Sequence, residues 1–456
     1  MMPVGGPFLS TLTDFRLGKM IHARQIAQET GYQDLCLLGR LHGCAHLPQP
    51  PSAFVSLHPL GTLCGALRRY RRAIVARPPI LSSIPAPARV AIFGAAGYTG
   101  SELVRLLLRH PLAHIQHLTG TERTAGLPYG SVCPQFAYAS VVGGSDGEPD
   151  PVARLPTMQR NEEVDLSRVD VVFCCLPHAA TQDIVSRMMR DADVGGYALR
   201  VVDLSADFRL FNTAIYAQWY GGEHRAPQLQ QEAVYGLTEM AREQVRSARL
   251  VANPGCYPTA AQLPLIPLVQ QRLIELDDIV IDAKSGATGA GRAAKEANLF
   301  CEVTEGMHAY GVANHRHAPE IEQGLSRAAG LGDEGVVVRF TPHLIPMARG
   351  ILETIYVRCR PGVRATDLKQ ALTKQYAGER FVHVLADARQ VPQTRHVRGS
   401  NHVLINVFTD RSRDGAIIIS AIDNVVKGAS GQALQNFNVM LGYPETMGLE
   451  APPLFP

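Results

Sequence analysis

Long apolar runs are missing from this chain of 456 residues: no stretch reaches the roughly 18 apolar residues that a membrane-spanning helix needs, so no membrane partner is expected. Net charge is small as well. Lys and Arg number 44 against 41 Asp and Glu, a balance of +3 that carries no electrostatic footprint for nucleic acid. Cysteine is sparse, with nine residues, an odd number, scattered and never arranged as C-x-x-C. That pattern argues against a disulfide framework or a structural zinc site, and favours a reducing compartment with no metal. What remains is 46% hydrophobic and 19% charged, with 41 Gly and 31 Pro, which excludes collagen, coiled coil and wholesale disorder. The length suffices for two or three domains of α/β type, each with a core of its own.

The stretch up to Arg89 differs from the rest. It carries ten basic residues against three acids (Asp14, Glu29, Asp34), many prolines and the basic knot Arg68-Arg69-Tyr70-Arg71-Arg72. No sustained apolar periodicity emerges, so residues 1–88 are read as an extension outside the fold. An organellar transit peptide, a non-native tail from an upstream start, and a basic nucleic-acid arm are the three readings of it.

Arg89-Val90-Ala91-Ile92-Phe93 reads as a strand, and Gly94-Ala95-Ala96-Gly97-Tyr98-Thr99-Gly100 follows directly. Leu103, Leu106 and Leu107 then share one helical face. Strand, glycine turn and helix make the setting for a dinucleotide: Gly94 for the tight turn, Gly97 for backbone approach to a pyrophosphate, Gly100 for close helix–sheet packing. Residues 114–118 form the next strand, with Thr119 and Thr121 at its tip and Arg123 beyond. An NAD site wants an acid at that tip, whereas Arg123 suits a 2′-phosphate, so NADP is expected; Glu122 could instead take the ribose hydroxyls. Residues 169–177 and 200–204 read as further parallel strands, with His178 and Ser205-Ala206-Asp207-Phe208-Arg209 in the loops that follow.

After the short strand 250–252 comes Asn253-Pro254-Gly255-Cys256-Tyr257-Pro258-Thr259. Pro258 suits the first helical position, which puts Cys256 at a helix start, where the dipole and open N–H groups should lower the thiol pKa. Pro264 and Pro267 predict that this helix is short or bent. A nucleophilic thiolate beside a nicotinamide site suits acyl transfer with hydride transfer. The proton that such chemistry moves has candidates in His315 and His317, just before Pro319 and Glu320; zinc ligation by the two histidines is the competing reading. The run 282–292 is a glycine-rich strand exit with Lys284 and Arg292, suited to acyl-phosphate oxygens or to a plain solvated turn.

Together the runs 94–100, 204–209, 253–259, 284–292, 315–321 and 423–436 resemble, in order, the N-acetyl-gamma-glutamyl-phosphate reductase family of arginine biosynthesis. The resemblance spans residues 89 to about 445. It implies an α/β fold: a Rossmann-type doubly wound parallel sheet with an inserted α+β catalytic and dimerisation domain of the glyceraldehyde-phosphate-dehydrogenase type. On this reading residues 89–252 and 424–456 bind NADP(H), residues 253–423 form the substrate domain, and a C-terminal helix returns to the first. It implies Cys256 as nucleophile and His317 as acid/base, with His315 beside it. Gly94, Gly97, Tyr98, Thr99, Gly100, Thr119, Arg123, Ser205 and Asn424 are expected at the cofactor, with the Lys427-Gly428 turn near the nicotinamide. Arg209, Asn253, Lys284, Ser285, Gly286, Arg292 and Glu320 are expected at the substrate. The implied reaction is NADPH-dependent reduction of N-acetylglutamyl phosphate to the semialdehyde in a homodimer or homotetramer. The cytoplasm is the expected compartment, or a plastid if residues 1–88 are a transit peptide. The rivals are an aspartate-semialdehyde dehydrogenase, whose nucleophile sits in an Asn-Cys context where this chain has Gly255, a non-catalytic NADP-binding redox sensor, and a cysteine hydrolase.

Overall fold

The computed structural model describes residues 86–137, 155–412 and 414–455. The extension assigned to residues 1–88 therefore lies, but for its last three residues, outside the described residues.

The first sheet is wholly parallel, in the order β3-β2-β1-β4-β5-β7-β6. Its strands are β1 (Ala88–Phe93), β2 (Ala113–Thr119), β3 (Met158–Gln159), β4 (Val171–Cys174), β5 (Arg200–Asp203), β6 (Val234–Tyr235) and β7 (Leu250–Ala252). Side chains alternate across a strand, so the apolar run of β1 serves two cores at once. Val90 and Ile92 pack with Leu103, Val104, Ala433 and Phe437, from the helices Tyr98–Leu107 and Gly431–Leu441. Ala91 and Phe93 face the other way, onto Val185, Met188 and Met189 of the helix Thr181–Gly195. A parallel sheet buried on both faces needs these apolar strands, and β4 and β7 are buried at every position.

The second sheet is mixed, in the order β12-β13-β14-β11-β8-β10-β9. Its strands are β8 (Ile274–Gly286), β9 (His308–Ala309), β10 (Arg339–Ile345), β11 (Ile351–Cys359), β12 (Val382–Val384), β13 (Val403–Thr409) and β14 (Gly415–Ile422). Ile279, Ile281, Ile355, Val357 and Ile418 point into one core beneath the helices Cys256–Gln270, Ala318–Ala328 and Ala365–Gln375. The alternate residues Val280, Asp282, Lys284 and Tyr356 lie on the other, more open face.

Of the two outcomes expected from Pro264 and Pro267, the short helix is overturned: one helix of 15 residues runs through both. Pro267 cannot donate to the carbonyl of Leu263, four residues back. The Tyr376 hydroxyl donates to that carbonyl instead, and every residue from Tyr257 to Val269 is buried. Packing and a replacement donor thus outweigh local propensity.

Candidate active site

At the end of β1, Gly94 has φ +79°, and a Cβ there would lie 2.4 Å from the Cys175 carbonyl oxygen. A Cβ on Gly100 would come equally close to the Gly94 carbonyl, so both positions exclude side chains. Gly97 caps the following helix without a side-chain bond, and no acid occupies the first turn. Among the described residues the backbone N–H groups of Tyr98, Thr99 and Gly100 have no acceptor, and a Cβ on Gly97 would meet nothing nearer than 3.5 Å. Open donors at a helix start beside an uncovered backbone fit the pyrophosphate of a dinucleotide. Tyr98 is exposed and Thr99 half-buried; the Thr99 carbonyl accepts from the Ser430 hydroxyl at 2.8 Å. Arg123 and Glu122 are both exposed on the turn after β2, and Arg123 makes no ion pair among the described residues.

Three residues expected at the cofactor hold protein partners. Thr119 is fully buried, its hydroxyl accepting from the Gly94 N–H at 3.2 Å and donating to Asn161 at 2.6 Å, so it braces the glycine turn from beneath. Ser205 is buried between Asp203 and the Asp207 N–H. The Asn424 amide accepts from the Gly350 N–H at 2.7 Å and donates to Thr288 at 3.0 Å, holding the exit of β8. Lys427 is fully buried on Glu239 and Gln435, at 2.6 and 2.8 Å.

Cys256, not Pro258, opens its helix, with Gly255 as the cap. The turn before it is pinned on every side. Asn253 donates through Nδ2 to the Ala429 carbonyl and accepts from Asn436, and the Gly255 N–H donates to Glu320 Oε1 at 2.7 Å. A Cβ on Gly255 would lie 2.7 Å from His317 Nε2 and 2.9 Å from Arg209 Nη1, so an imidazole and a guanidinium converge on the residue before the sulfur. Gly428 closes the other side, where a Cβ would fall 2.6 Å from that of Cys256. Tyr257 stands edge-on to both His315 and His317, at 5.7 and 5.8 Å between ring centres, and its hydroxyl meets that of Tyr310 at 2.8 Å.

The electrostatics revise the expectation of a lowered thiol pKa. Burial pushes the Cys256 thiol up to about 12; the Arg209 charge and the Tyr257 N–H pull it down but do not prevail. Burial, followed by the neighbouring His315, Arg209 and His178, drives His317 well below its ordinary value. His315 is pushed down to about 4, by burial and then by Arg316. The resting pair at neutral pH is therefore a thiol and a neutral imidazole. His315 Nδ1 accepts from the His317 N–H at 3.1 Å, which leaves its proton on Nε2.

The polar side chains expected at the substrate all have partners within the protein. Arg209 is buried, donating to the carbonyls of Asn253 and Leu204 and paired with Glu320 at 3.3 Å. Glu320 also accepts from the Tyr235 hydroxyl at 2.8 Å. Lys284 is paired with Asp282 at 2.6 Å, Ser285 bonds the Gly286 carbonyl, and Gly286 packs against the backbone of Ala348. Arg292 crosses to the glycine turn, donating to the Ala96 carbonyl at 2.7 Å rather than meeting the nucleophile. Sequence reasoning did not place Tyr220, Tyr235, Tyr310 or Arg316 at the site. Only Arg316 stood inside a quoted run, hidden by its two histidine neighbours.

Two family descriptions match: "Semialdehyde dehydrogenase, NAD binding domain" over residues 89–248, and "Semialdehyde dehydrogenase, dimerisation domain" over 256–424. A Rhodospirillum rubrum protein named N-acetyl-gamma-glutamyl-phosphate reductase is 56% identical over 367 residues, covering 80% of this chain and 98% of its own length. A rice protein named "Probable N-acetyl-gamma-glutamyl-phosphate reductase, chloroplastic" is 54% identical over 368 residues, 81% of this chain and 82% of its own. Among solved structures, aspartate semialdehyde dehydrogenase II of Vibrio cholerae aligns with TM-score 0.56 at 18% identity, over 78% of this chain and 99% of that one. The Candida albicans aspartate semialdehyde dehydrogenase with NADP aligns with TM-score 0.53, also at 18%, over 78% of this chain and 98% of that one. These structural likenesses show a shared fold.

Proposed function

The chain belongs to the N-acetyl-gamma-glutamyl-phosphate reductase family and carries out its reaction in arginine biosynthesis, reduction of N-acetyl-L-glutamyl 5-phosphate to the 5-semialdehyde with release of phosphate; we propose that it does so with NADPH, through a thioester on Cys256. The observation that carries the proposal is the convergence of His317 Nε2 and Arg209 Nη1 on Gly255, beside the sulfur. The aspartate-semialdehyde dehydrogenase alternative rests on fold alone, at 12 to 18% identity.

Cys256 starts as a thiol. As its sulfur attacks the acyl carbon, the proton passes to neutral His317, the C–S bond forms, and the bond to the phosphate oxygen breaks, the leaving phosphate taking a proton from solvent. Arg209, fixed and cationic, offsets the charge on sulfur during attack. The nicotinamide, when bound, supplies the hydride that reduces the thioester. The proton held on His317 balances the charge building on the substrate oxygen, then returns to sulfur as the C–S bond breaks and the aldehyde leaves. His315 holds the backbone of His317 and acts as a positioning residue. The open N–H groups of Tyr98, Thr99 and Gly100 would hold the pyrophosphate, and Arg123 would meet a 2′-phosphate.

Among the described residues no helix is long and apolar enough to cross a membrane. We infer a homodimer or homotetramer, joined through the region that matches the dimerisation description. Our reading of the compartment is the cytoplasm, or a plastid if residues 1–88 act as a leader.

The test is phosphate-dependent reduction of NADP⁺ by N-acetylglutamate semialdehyde. Cys256→Ser should retain its circular dichroism and NADPH titration but fall to background turnover, and intact-protein mass should lose the N-acetylglutamyl adduct that the acyl phosphate leaves on the parent. Near-normal turnover in the Ser variant would remove the thioester from the mechanism.

A further inference from the structure

The substrate carries two anionic groups, a phosphoryl on the reacting carbon and an α-carboxylate at the other end of its carbon chain. Of the cations expected to meet them, Arg209, Lys284 and Arg292 all have protein partners. Arg316 differs. It is exposed, it makes no hydrogen bond or ion pair among the described residues, and its guanidinium lies over the Tyr220 ring, 5.0 Å from the centre. Tyr220 in turn stands edge-on to His178, at 5.9 Å between rings. The field of Arg316 reaches both His178 and His315, so it borders the space around His317.

Direction decides which anion it meets. His315 and His317 both turn towards Tyr257, the neighbour of the nucleophile. Arg316, between them, turns instead to Tyr220 at the end of the helix Thr213–Tyr220. A group on the reacting carbon belongs with the histidines. A cation displaced from them, held flat by an aromatic face and with its donors uncommitted, suits a carboxylate at the far end of the substrate. We propose that Arg316 binds the α-carboxylate of the substrate and thereby sets selectivity for acyl phosphates that carry a distal acid. The proposal rests on the reaction given above.

The semialdehyde-oxidising direction separates the two anions, because phosphate and semialdehyde are then independent substrates. For Arg316→Gln, KM for N-acetylglutamate semialdehyde should rise about ten- to a hundredfold, the range of a charge-assisted hydrogen bond. The kcat and the KM for phosphate should stay within about twofold, and Arg316→Lys should recover part of the loss. A second readout needs no turnover: alkylation of Cys256 by anionic iodoacetate should slow in Arg316→Gln, while alkylation by neutral iodoacetamide should not. A rise confined to the phosphate KM would overturn the proposal in favour of the phosphoryl group. Unchanged constants for both substrates, or equal slowing with both alkylating agents, would also overturn it. An inactive parent protein would sink the reaction itself, and the alkylation ratio would still decide whether Arg316 attracts an anion.

Discussion

Two strand-to-helix turns in the first sheet start from the same local design and end with different chemistry. After β1 and after β7 the helix begins at a glycine cap, Gly97 or Gly255, and neither cap has a side-chain hydrogen bond. At the first turn the donors stay open, with Tyr98, Thr99 and Gly100 offering N–H groups to an incoming anion. At the second the Gly255 N–H is taken by Glu320, and Asn253 and Arg209 are tied to backbone. The cap N–H is claimed at both turns, by the Gly94 carbonyl at the first and by Glu320 at the second, so the contrast lies in the side chains: Arg209, His317, Asn253 and Glu320 crowd the second turn, while the first keeps an uncovered backbone. What separates the two turns is how many neighbours reach in.

The comparison breaks most sharply at the positioned turn. Replacing His317 with Asn keeps the volume but removes the base that accepts the Cys256 proton. Turnover should fall by about 10²- to 10⁴-fold, the usual worth of acid–base catalysis. His315→Asn should be milder, because His315 contributes one bond to the His317 backbone. Steady-state rates of both variants over several pH values check this, and a collapsed rate for His315→Asn beside an intact His317→Asn would exchange their roles.

Much of that arrangement could be read in the sequence, and the part that could not has a physical cause. Local chain geometry is written in short runs, so the β1–glycine–helix unit and the Cys256 helix start were both legible. What a polar side chain does depends on distant partners: Arg209 meets Glu320 across 111 positions, and Lys427 meets Glu239 across 188. No periodicity signals such pairs. The sequence therefore brings Arg209, Asn253 and Glu320 into view near Cys256 but not the partners that hold them. The thiol pKa failed for a related reason. The helix start argues for a lowered value, but burial by chain from elsewhere outweighs it.

Adding one methyl group to each cap sharpens the contrast. In Gly255→Ala the new carbon would meet His317 Nε2 at 2.7 Å and Arg209 Nη1 at 2.9 Å, so the base must shift. Since an ångström of misplacement can cost about 10²-fold, kcat should drop by that order with little change in the KM for NADPH. In Gly97→Ala the methyl meets only ordinary contact distance, so the fold and kcat should survive. It would instead stand where the pyrophosphate approaches, raising the KM for NADPH by about tenfold. If both variants moved the same constant, the two turns would not divide binding from positioning.

The protonation state offers a gentler probe. With the Cys256 pKa raised to about 12, the thiolate fraction grows with every step in pH through the neutral and mildly alkaline range. Iodoacetamide alkylation of the protein without substrate should thus climb about tenfold per pH unit from 7 to 9. A plateau beginning near neutrality would mean a thiolate–imidazolium pair, and the thiol start of the mechanism would be wrong.

The smallest effect is expected at the binding turn, from an exposed residue with no ion pair among the described residues. Arg123 is exposed beyond β2, and Thr119, the other expected ribose contact, is closed off beneath Gly94. If Arg123 meets a 2′-phosphate, it does so in solvent, where a charge-assisted bond keeps only part of its strength. Arg123→Ala should therefore raise the KM for NADPH by about tenfold or less and leave that for NADH unchanged. Added salt should shrink the difference between parent and variant, because screening already weakens the contact in the parent. Glu122 supplies the control: Glu122→Gln should leave the NADPH constant unchanged or lower it, since a carboxylate beside the phosphate only repels. An equal loss with both nucleotides in Arg123→Ala would place that side chain away from the ribose. A rise in the NADH constant in Glu122→Gln, with a parent protein that uses both nucleotides equally, would hand the ribose to Glu122.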